Sequence, residues 1–363
     1  MKLFEPFSLA GLELRNRIVR SATYEKRADV DGFVTEPLIE MYRALADGGA
    51  GLIITGNALI HSSGRSVPQA ICIHNDHYVD GLKRLTDIVH ARGGKIVMQL
   101  SHGGRQCFPT LLGGNQPIAP SAVYDPSTKI IPLVMDDAKI WEMVYAFADA
   151  ARRAMYAGFD GIQIHAAHGY LVSEFLSPHT NRRDDYWGGD EERRFHFIEE
   201  TYEAIRKEVV STFPIMVKMN ADDFIEGGLR PAEALRIAQR LQSLGISAIE
   251  MSGGMFEAGK MTVRPNIETE EQEAYFREAA GIFARGLFMP VMVVGGIRSR
   301  SVAEDILQKE DADLLSISRP LIREPDLPLK FMQGKERADC ISCNNCMRFL
   351  KLDMVRCTQT KDK

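Results

Sequence analysis

Eight short apolar runs punctuate this chain, at positions 17–20, 51–54, 95–100, 161–164, 215–218, 248–251, 290–294 and 314–317. They are rich in Ile, Val, Leu and Met, several are bounded by glycine, and they read as buried parallel strands. Between them, residues 36–47, 78–92, 136–157, 190–210 and 230–244 carry apolar side chains at helical spacing. A strand–helix alternation repeated eight times closes most simply into an α/β fold of one kind, the (β/α)8 TIM barrel. A doubly wound sheet is the competing architecture, but the glycine fingerprint after its first strand is missing. The loop 103–132 is long and rich in Gly and Pro, which predicts a lid or hairpin. The barrel pattern ends near residue 330, so the expected organisation is a barrel over 1–329 and a short cysteine-rich C-terminal tail over 330–363.

With 363 residues, 45% of them hydrophobic, the chain can bury a large core. Its net charge of -5 offers no electrostatic footprint for nucleic acid. No run approaches the length of a membrane span, and Met1-Lys2-Leu3-Phe4-Glu5-Pro6 lacks the apolar core of a signal peptide, so a cytoplasmic protein is expected. Six cysteines in a chain this long are not a disulfide scaffold.

In a barrel, residues at the carboxyl ends of the strands face a common mouth. Thr23 follows the first strand, Gln99 sits within the third with His102 just beyond, and Lys218 lies within the fifth. His165-Ala166-Ala167-His168-Gly169-Tyr170 follows the fourth, Ser252-Gly253-Gly254 the sixth, Gly295-Gly296 the seventh and Ser318-Arg319 the eighth. Imidazoles donate hydrogen bonds to a substrate oxygen and a phenol delivers a proton, although two satisfied loop histidines are the plainer reading of the same residues. Glycines after strand seven admit an anion to the backbone, and Arg319 can then clamp a phosphate; turn glycines and a surface arginine are the alternative. Thr23, Gln99 and Lys218 suit a flat heterocycle with carbonyls and ring nitrogens, unless Lys218 only completes a salt bridge.

The chain resembles the Old Yellow Enzyme family of FMN-dependent oxidoreductases from Leu3 to about Asp326. The likeness is carried by Leu14-Arg15-Asn16-Arg17-Ile18-Val19, by Gln99-Leu100-Ser101-His102-Gly103-Gly104-Arg105, and by the stretch from His165 through Tyr170 to Pro178. It continues through Asn181-Arg182-Arg183-Asp184-Asp185-Tyr186-Trp187-Gly188-Gly189 and Glu192-Arg193-Arg194-Phe195. The resemblance implies that His165 and His168 bind the carbonyl or nitro oxygen of an activated alkene, and that Tyr170 protonates its α-carbon. NAD(P)H would be the reductant, in ping-pong chemistry. For FMN it implies Ala22, Thr23, Gln99, Lys218, Gly253, Gly295, Gly296, Ser318 and Arg319 as the binding set, with Thr23 at the flavin C4 carbonyl and the last four residues at the phosphate. Two departures matter. The pyrimidine-side cation is often arginine in the family and is Lys218 here, and the Ser21–Glu25 segment lacks the flavin-tuning cysteine of one subgroup.

Cys340, Cys343, Cys346 and Cys357 form a C-x2-C-x2-C-x10-C array. Such spacing wraps a metal or cluster. The array resembles the [4Fe–4S] segment of 2,4-dienoyl-CoA reductase and trimethylamine dehydrogenase, longer relatives in which the second gap is typically one residue larger. A [4Fe–4S] cluster, zinc and free thiols are all open readings. Those relatives continue into nucleotide-binding domains, so a cluster here is expected to exchange electrons with a separate partner protein. The principal expectation is an ene-reductase acting on a small activated alkene, with neither nucleic acid nor membrane as partner and a homo-oligomeric assembly. A cluster-wired dienoyl-CoA-reductase-like or amine-dehydrogenase-like enzyme, a pure electron-transfer flavoprotein and a zinc hydrolase using His165 and His168 are the alternatives.

Overall fold

A computed structural model describes residues 1–348 and 351–360; positions 349–350 and 361–363 of the expected tail lie outside the described residues. Eight parallel strands form the barrel: β1 (Ile18–Arg20), β2 (Leu52–Ile54), β3 (Ile96–Ser101), β4 (Ile162–Ala166), β5 (Ile215–Asn220), β6 (Ala248–Ser252), β7 (Val291–Val293) and β8 (Leu314–Ile317). They neighbour one another in chain order, with β2 paired to both β1 and β3, and β8 closing the ring onto β1 through Leu315↔Ile18. Every apolar run of the sequence is therefore a strand. The long surrounding helices are α1 (Glu36–Asp47), α2 (Val79–His90), α3 (Asp137–Tyr156), α4 (Glu191–Glu208), α5 (Pro231–Leu244), α6 (Arg277–Gly286) and α7 (Arg300–Gln308).

Several starts and stops follow local chemistry. Thr35, Asp136 and Asp190 cap α1, α3 and α4 by accepting from backbone amides of the first turn. Gly245 ends α5 in the left-handed conformation that glycine adopts freely. The Arg15-Asn16 pair is structural: Asn16 Nδ2 donates to Gly49 O (2.8 Å) and Arg15 Nη2 donates to Ala46 O (2.7 Å), tying the entry of β1 to the end of α1. Asn181 Nδ2 likewise donates to Phe175 O (2.8 Å) and Trp187 O (2.7 Å), knotting the segment before α4.

Side chains alternate along a strand, so every second residue enters the barrel. The lowest inward layers are apolar: Val19, Leu52, Ile54, Val97, Met216, Ala248, Met292 and Leu314 pack with Leu9 and Leu14. Those two leucines come from an antiparallel hairpin (Phe7–Leu9 with Leu12–Leu14) that plugs the amino end of the barrel. One step further along, the inward positions become Ser21, Gln99, Gln163, Lys218, Glu250 and Ser316, all buried. The switch from apolar to polar builds a floor with a mouth above it. Within 103–132 the sequence makes short 3-10 turns, and Ile118–Ala119 pairs in parallel with Leu133–Val134. Among the described residues, no helix is long and apolar enough to cross a membrane.

The plug and the mouth lie at opposite ends of the barrel. Leu14→Ala should therefore lower stability by about 2–5 kcal/mol in urea unfolding while leaving the affinity for a mouth ligand unchanged. A loss of ligand affinity equal to the loss of stability would contradict this separation.

Candidate active site

A cavity of about 290 Å³ occupies the carboxyl-end mouth. Its lining gathers Ala22, Thr23 and Gln99 with Lys218, Gly296, Ser318 and Arg319, and the three residues His165, His168 and Tyr170. Gly253 and Gly295 are not part of that wall. Gly253 lies against Phe224 and Phe276, where an added Cβ would come within 2.8 Å of either ring, and Gly295 offers its carbonyl to Tyr275 N at 3.0 Å. No residue of 103–132 reaches the lining either. That loop acts at one remove, through Gln106 Nε2 donating to His168 O at 2.8 Å. It is pinned by Arg105, which donates to Tyr124 O (3.1 Å) and pairs with Glu257 beyond β6.

The floor is one hydrogen-bonded chain across four strands and Ser21 just past β1. Gln99 Nε2 donates to Gln163 Oε1 (2.7 Å), and Gln163 Nε2 donates to Glu250 Oε2 (2.9 Å). Glu250 Oε1 accepts from Ser21 Oγ (2.6 Å) and from Lys218 Nζ (3.1 Å), which also donates to Ser21 Oγ (3.0 Å). Lys218 and Glu250 sit directly opposite in the β5–β6 register, so the salt bridge and the cavity-facing cation are the same residue. Glu250 is held below the usual carboxylate range: burial opposes ionisation, but Lys218, Ser21 and Gln163 outweigh it.

This arrangement leaves specific groups for a ligand. Lys218 uses two of its three N–H bonds, Gln99 keeps its carbonyl oxygen, and Ser316 Oγ is buried without a partner in the cavity wall. At the other end Arg319 donates, among the described residues, through Nη1 alone, which leaves Nε and Nη2 for an anion. A cation and an acceptor at one end and an anion clamp at the other fit the flavin ring and phosphate of FMN. Thr23 and Ser318 are joined through their hydroxyls at 2.8 Å, and Thr23 also accepts from Arg20.

His165 lies inside β4 rather than past its end, and His168 and Tyr170 follow on the turn. Their rings stand edge-on: His165–His168 centroids are 5.3 Å apart at 87°, and His165–Tyr170 are 4.8 Å apart at 90°. His168 adopts φ +63°, left-handed backbone that a histidine pays strain to hold. It is braced by Asn220 Oδ1, which accepts from His168 N (3.2 Å), while its Nε2 meets Ser252 Oγ at 2.7 Å. Asn220 is itself held by Asp223 (2.8 Å). His165 Nδ1 accepts from Ala167 N at 3.3 Å, so a neutral His165 carries its proton on Nε2. Burial, then the His168 and Lys218 charges, push His165 well below its ordinary value; burial and Lys218 bring His168 down to about 3. Both imidazoles are therefore neutral donors. Burial raises Tyr170, which keeps its proton.

Ser21, Gln163, Glu250 and Ser316 were not singled out from the sequence. The available signal was a polar side chain inside an apolar strand, as in Ile162-Gln163-Ile164 and Ile249-Glu250-Met251. The tail supplies Cys346, Met347 and Val355 to the cavity wall, which no local pattern announces. Cys340, Cys343, Cys346 and Cys357 line a second, smaller cavity beside it, sharing Arg319, Ile322 and Cys346 with the first. Among the described residues no three His, Cys, Asp or Glu side chains stand in a metal-ligating group.

A family model described as the NADH:flavin oxidoreductase / NADH oxidase family matches residues 2–338. The chain is 37% identical over 362 residues to an NADH oxidase of Thermoanaerobacter brockii, covering 98% of this chain and 55% of that protein. It is 37% identical over 343 residues to an NADPH dehydrogenase of Geobacillus sp. (strain WCH70), covering 94% of this chain and 96% of the relative. A solved Old Yellow Enzyme homologue from Zymomonas mobilis superposes with a TM-score of 0.81 at 28% identity, over 94% of this chain and 95% of the other. The chain spans 55%, 50% and 36% of the first three curated relatives it matches.

Because desolvation holds both imidazoles down, neither should titrate between pH 8 and pH 5. Carbon-13 histidine NMR should show His165 and His168 neutral throughout; a midpoint near the ordinary value of about 6.5 for either ring would sink the neutral-donor assignment.

Proposed function

The chain belongs to the NADH:flavin oxidoreductase / NADH oxidase family, and from that premise we propose an FMN-dependent, NAD(P)H-driven ene-reductase. The substrate class is an activated C=C bond conjugated to a carbonyl, carboxyl, thioester or nitro group. The observation that carries this reading is the meeting of two neutral imidazoles and a protonated phenol in the cavity that also holds Gln99, Lys218 and Arg319. Gln99, Lys218 and Thr23 would hold the flavin ring, with Ser318, Arg319 and Gly296 at the phosphate. The flavin, when bound, supplies the hydride delivered to the β-carbon.

The remaining chemistry belongs to this chain's residues. His165 Nε2–H and the His168 ring orient the activating oxygen and strengthen their hydrogen bonds as enolate charge develops there. Tyr170 then gives its proton to the α-carbon, the bond to the phenolic oxygen breaking as the C–H bond forms. Asn220 and Ser252 keep His168 in the strained conformation that aims it.

The same proposal divides the chain into a flavin barrel over 1–329 and a cysteine tail over 330–363. A second reading gives the tail a [4Fe–4S] cluster on Cys340, Cys343, Cys346 and Cys357, wired to a partner protein. It is supported by the four thiols bordering one cavity, and no step above depends on it.

The flavin spectrum of the purified chain should bleach with NAD(P)H and return with cyclohexenone. Tyr170→Phe should slow the return about 10²–10⁴-fold while sparing the bleaching; equal loss of both half-reactions would remove Tyr170 from its role. A cluster would add a broad brown absorbance with stoichiometric iron, both lost in Cys343→Ala, whereas a wild-type chain free of iron when prepared without oxygen would dismiss the second reading.

A further inference from the structure

The tail is part of the cofactor pocket as well as a neighbour to it. Cys346, Met347 and Val355 stand in the wall of the main cavity, and Val355 N donates to Glu25 O (3.0 Å) just past β1. A second tie runs from Lys26 Nζ to Leu352 O at 2.7 Å. On the opposite side, Asn266 N donates to Ser342 O at 2.9 Å, so the tail is stitched to loops that follow two different strands.

Asn344 adds a third attachment, and this one reaches the wall of the main cavity through Arg319. It lies between Cys343 and Cys346, in left-handed backbone at φ +57°, a conformation asparagine tolerates better than most side chains. Its Nδ2 donates to Val263 O (2.9 Å), which fixes the amide so that Oδ1 accepts from Arg319 Nη1. The same Nη1 donates to Arg264 O at 2.8 Å. Arg319 is buried and borders both cavities. Two acceptors on one nitrogen set the plane of the guanidinium and leave its Nε and Nη2 edge free, the edge that grips an oxyanion in bidentate fashion.

We propose that Asn344 is a positioning residue for Arg319, through which the cysteine tail sets the preference of the cavity for a phosphorylated flavin over an unphosphorylated one. The inference rests on the flavin reading of the cavity and adds to it a task for the tail that needs no electron transfer. A rigid guanidinium loses less rotamer freedom on gripping a dianion, so losing the Asn344 contact costs affinity for the phosphate while leaving the ring contacts at Gln99 and Lys218 untouched.

The test is the dissociation constant of the full-length chain for FMN and for riboflavin, read by flavin fluorescence. Asn344→Gly removes the side chain and keeps the left-handed backbone accessible, which avoids the strain that alanine would add there. It should weaken FMN roughly tenfold and leave riboflavin unchanged, which also reports that the pocket is folded. Arg319→Ala should weaken FMN at least as far, and Arg319→Ala combined with Asn344→Gly should be no weaker than Arg319→Ala alone. Equal losses for both flavins in Asn344→Gly, no loss for either, or additive losses in the double variant would overturn the inference while the flavin reading stands. A wild-type chain that binds neither flavin would sink that reading and the inference together.

Discussion

The buried Lys218–Glu250 pair is the constraint on which the rest of the site depends. Taking two charges out of water costs several kcal/mol per ion, and the attraction between them repays it only when their remaining hydrogen-bonding capacity is satisfied. Here the neighbours that satisfy it are Ser21 from the first strand's end and Gln163 from the fourth strand, with Gln99 behind Gln163. Each hydrogen bond ties one barrel strand to another. The pair therefore specifies where the apolar plug must stop and the polar mouth begin, and it holds the open donors of Lys218 and Gln99 toward the cavity.

That same charge acts on the chemistry above it. Lys218 lies close enough to both His165 and His168 to disfavour a second positive charge, adding to what burial already does. The floor that would hold a flavin also keeps the clamp neutral. Strain at His168 is tolerated because three elements hold it: the fifth strand through Asn220, the sixth through Ser252 and the 103–132 loop through Gln106. A loop that does not line the cavity thus helps to fix His168 through one glutamine.

How much was legible follows from the range of the interactions concerned. The strands were readable because a buried parallel strand must be a continuous apolar run, and α1 through α5 because their amphipathic stripes are long. Helices α6 and α7 are less legible, because Arg277–Gly286 and Arg300–Gln308 run for fewer than three turns and give a period little length to repeat over. The plug hairpin escaped for the same reason, with strands of three residues each. The sequence puts His165 beyond its strand because an imidazole breaks an apolar run, although in a barrel an inward polar residue at the carboxyl end continues the strand. The resemblance puts Gly253 at the cofactor, whereas the rings of Phe224 and Phe276 are what require a glycine there.

The sequence by itself determined the barrel, its strand positions and the residue types that gather at its mouth, because apolar runs and the helical spacing between them are local patterns that repeat along the chain. Tertiary structure decided which of those residues share one cavity and in what protonation state. Charge, burial and hydrogen bonding between groups as distant in sequence as Ser21 and Glu250, or Arg319 and Asn344, depend on closure of the ring. It also decided that the cysteine tail folds back to wall the mouth. No periodicity encodes that contact; it comes from Val355 and Asn344 finding partners on loops that only the closed barrel brings together.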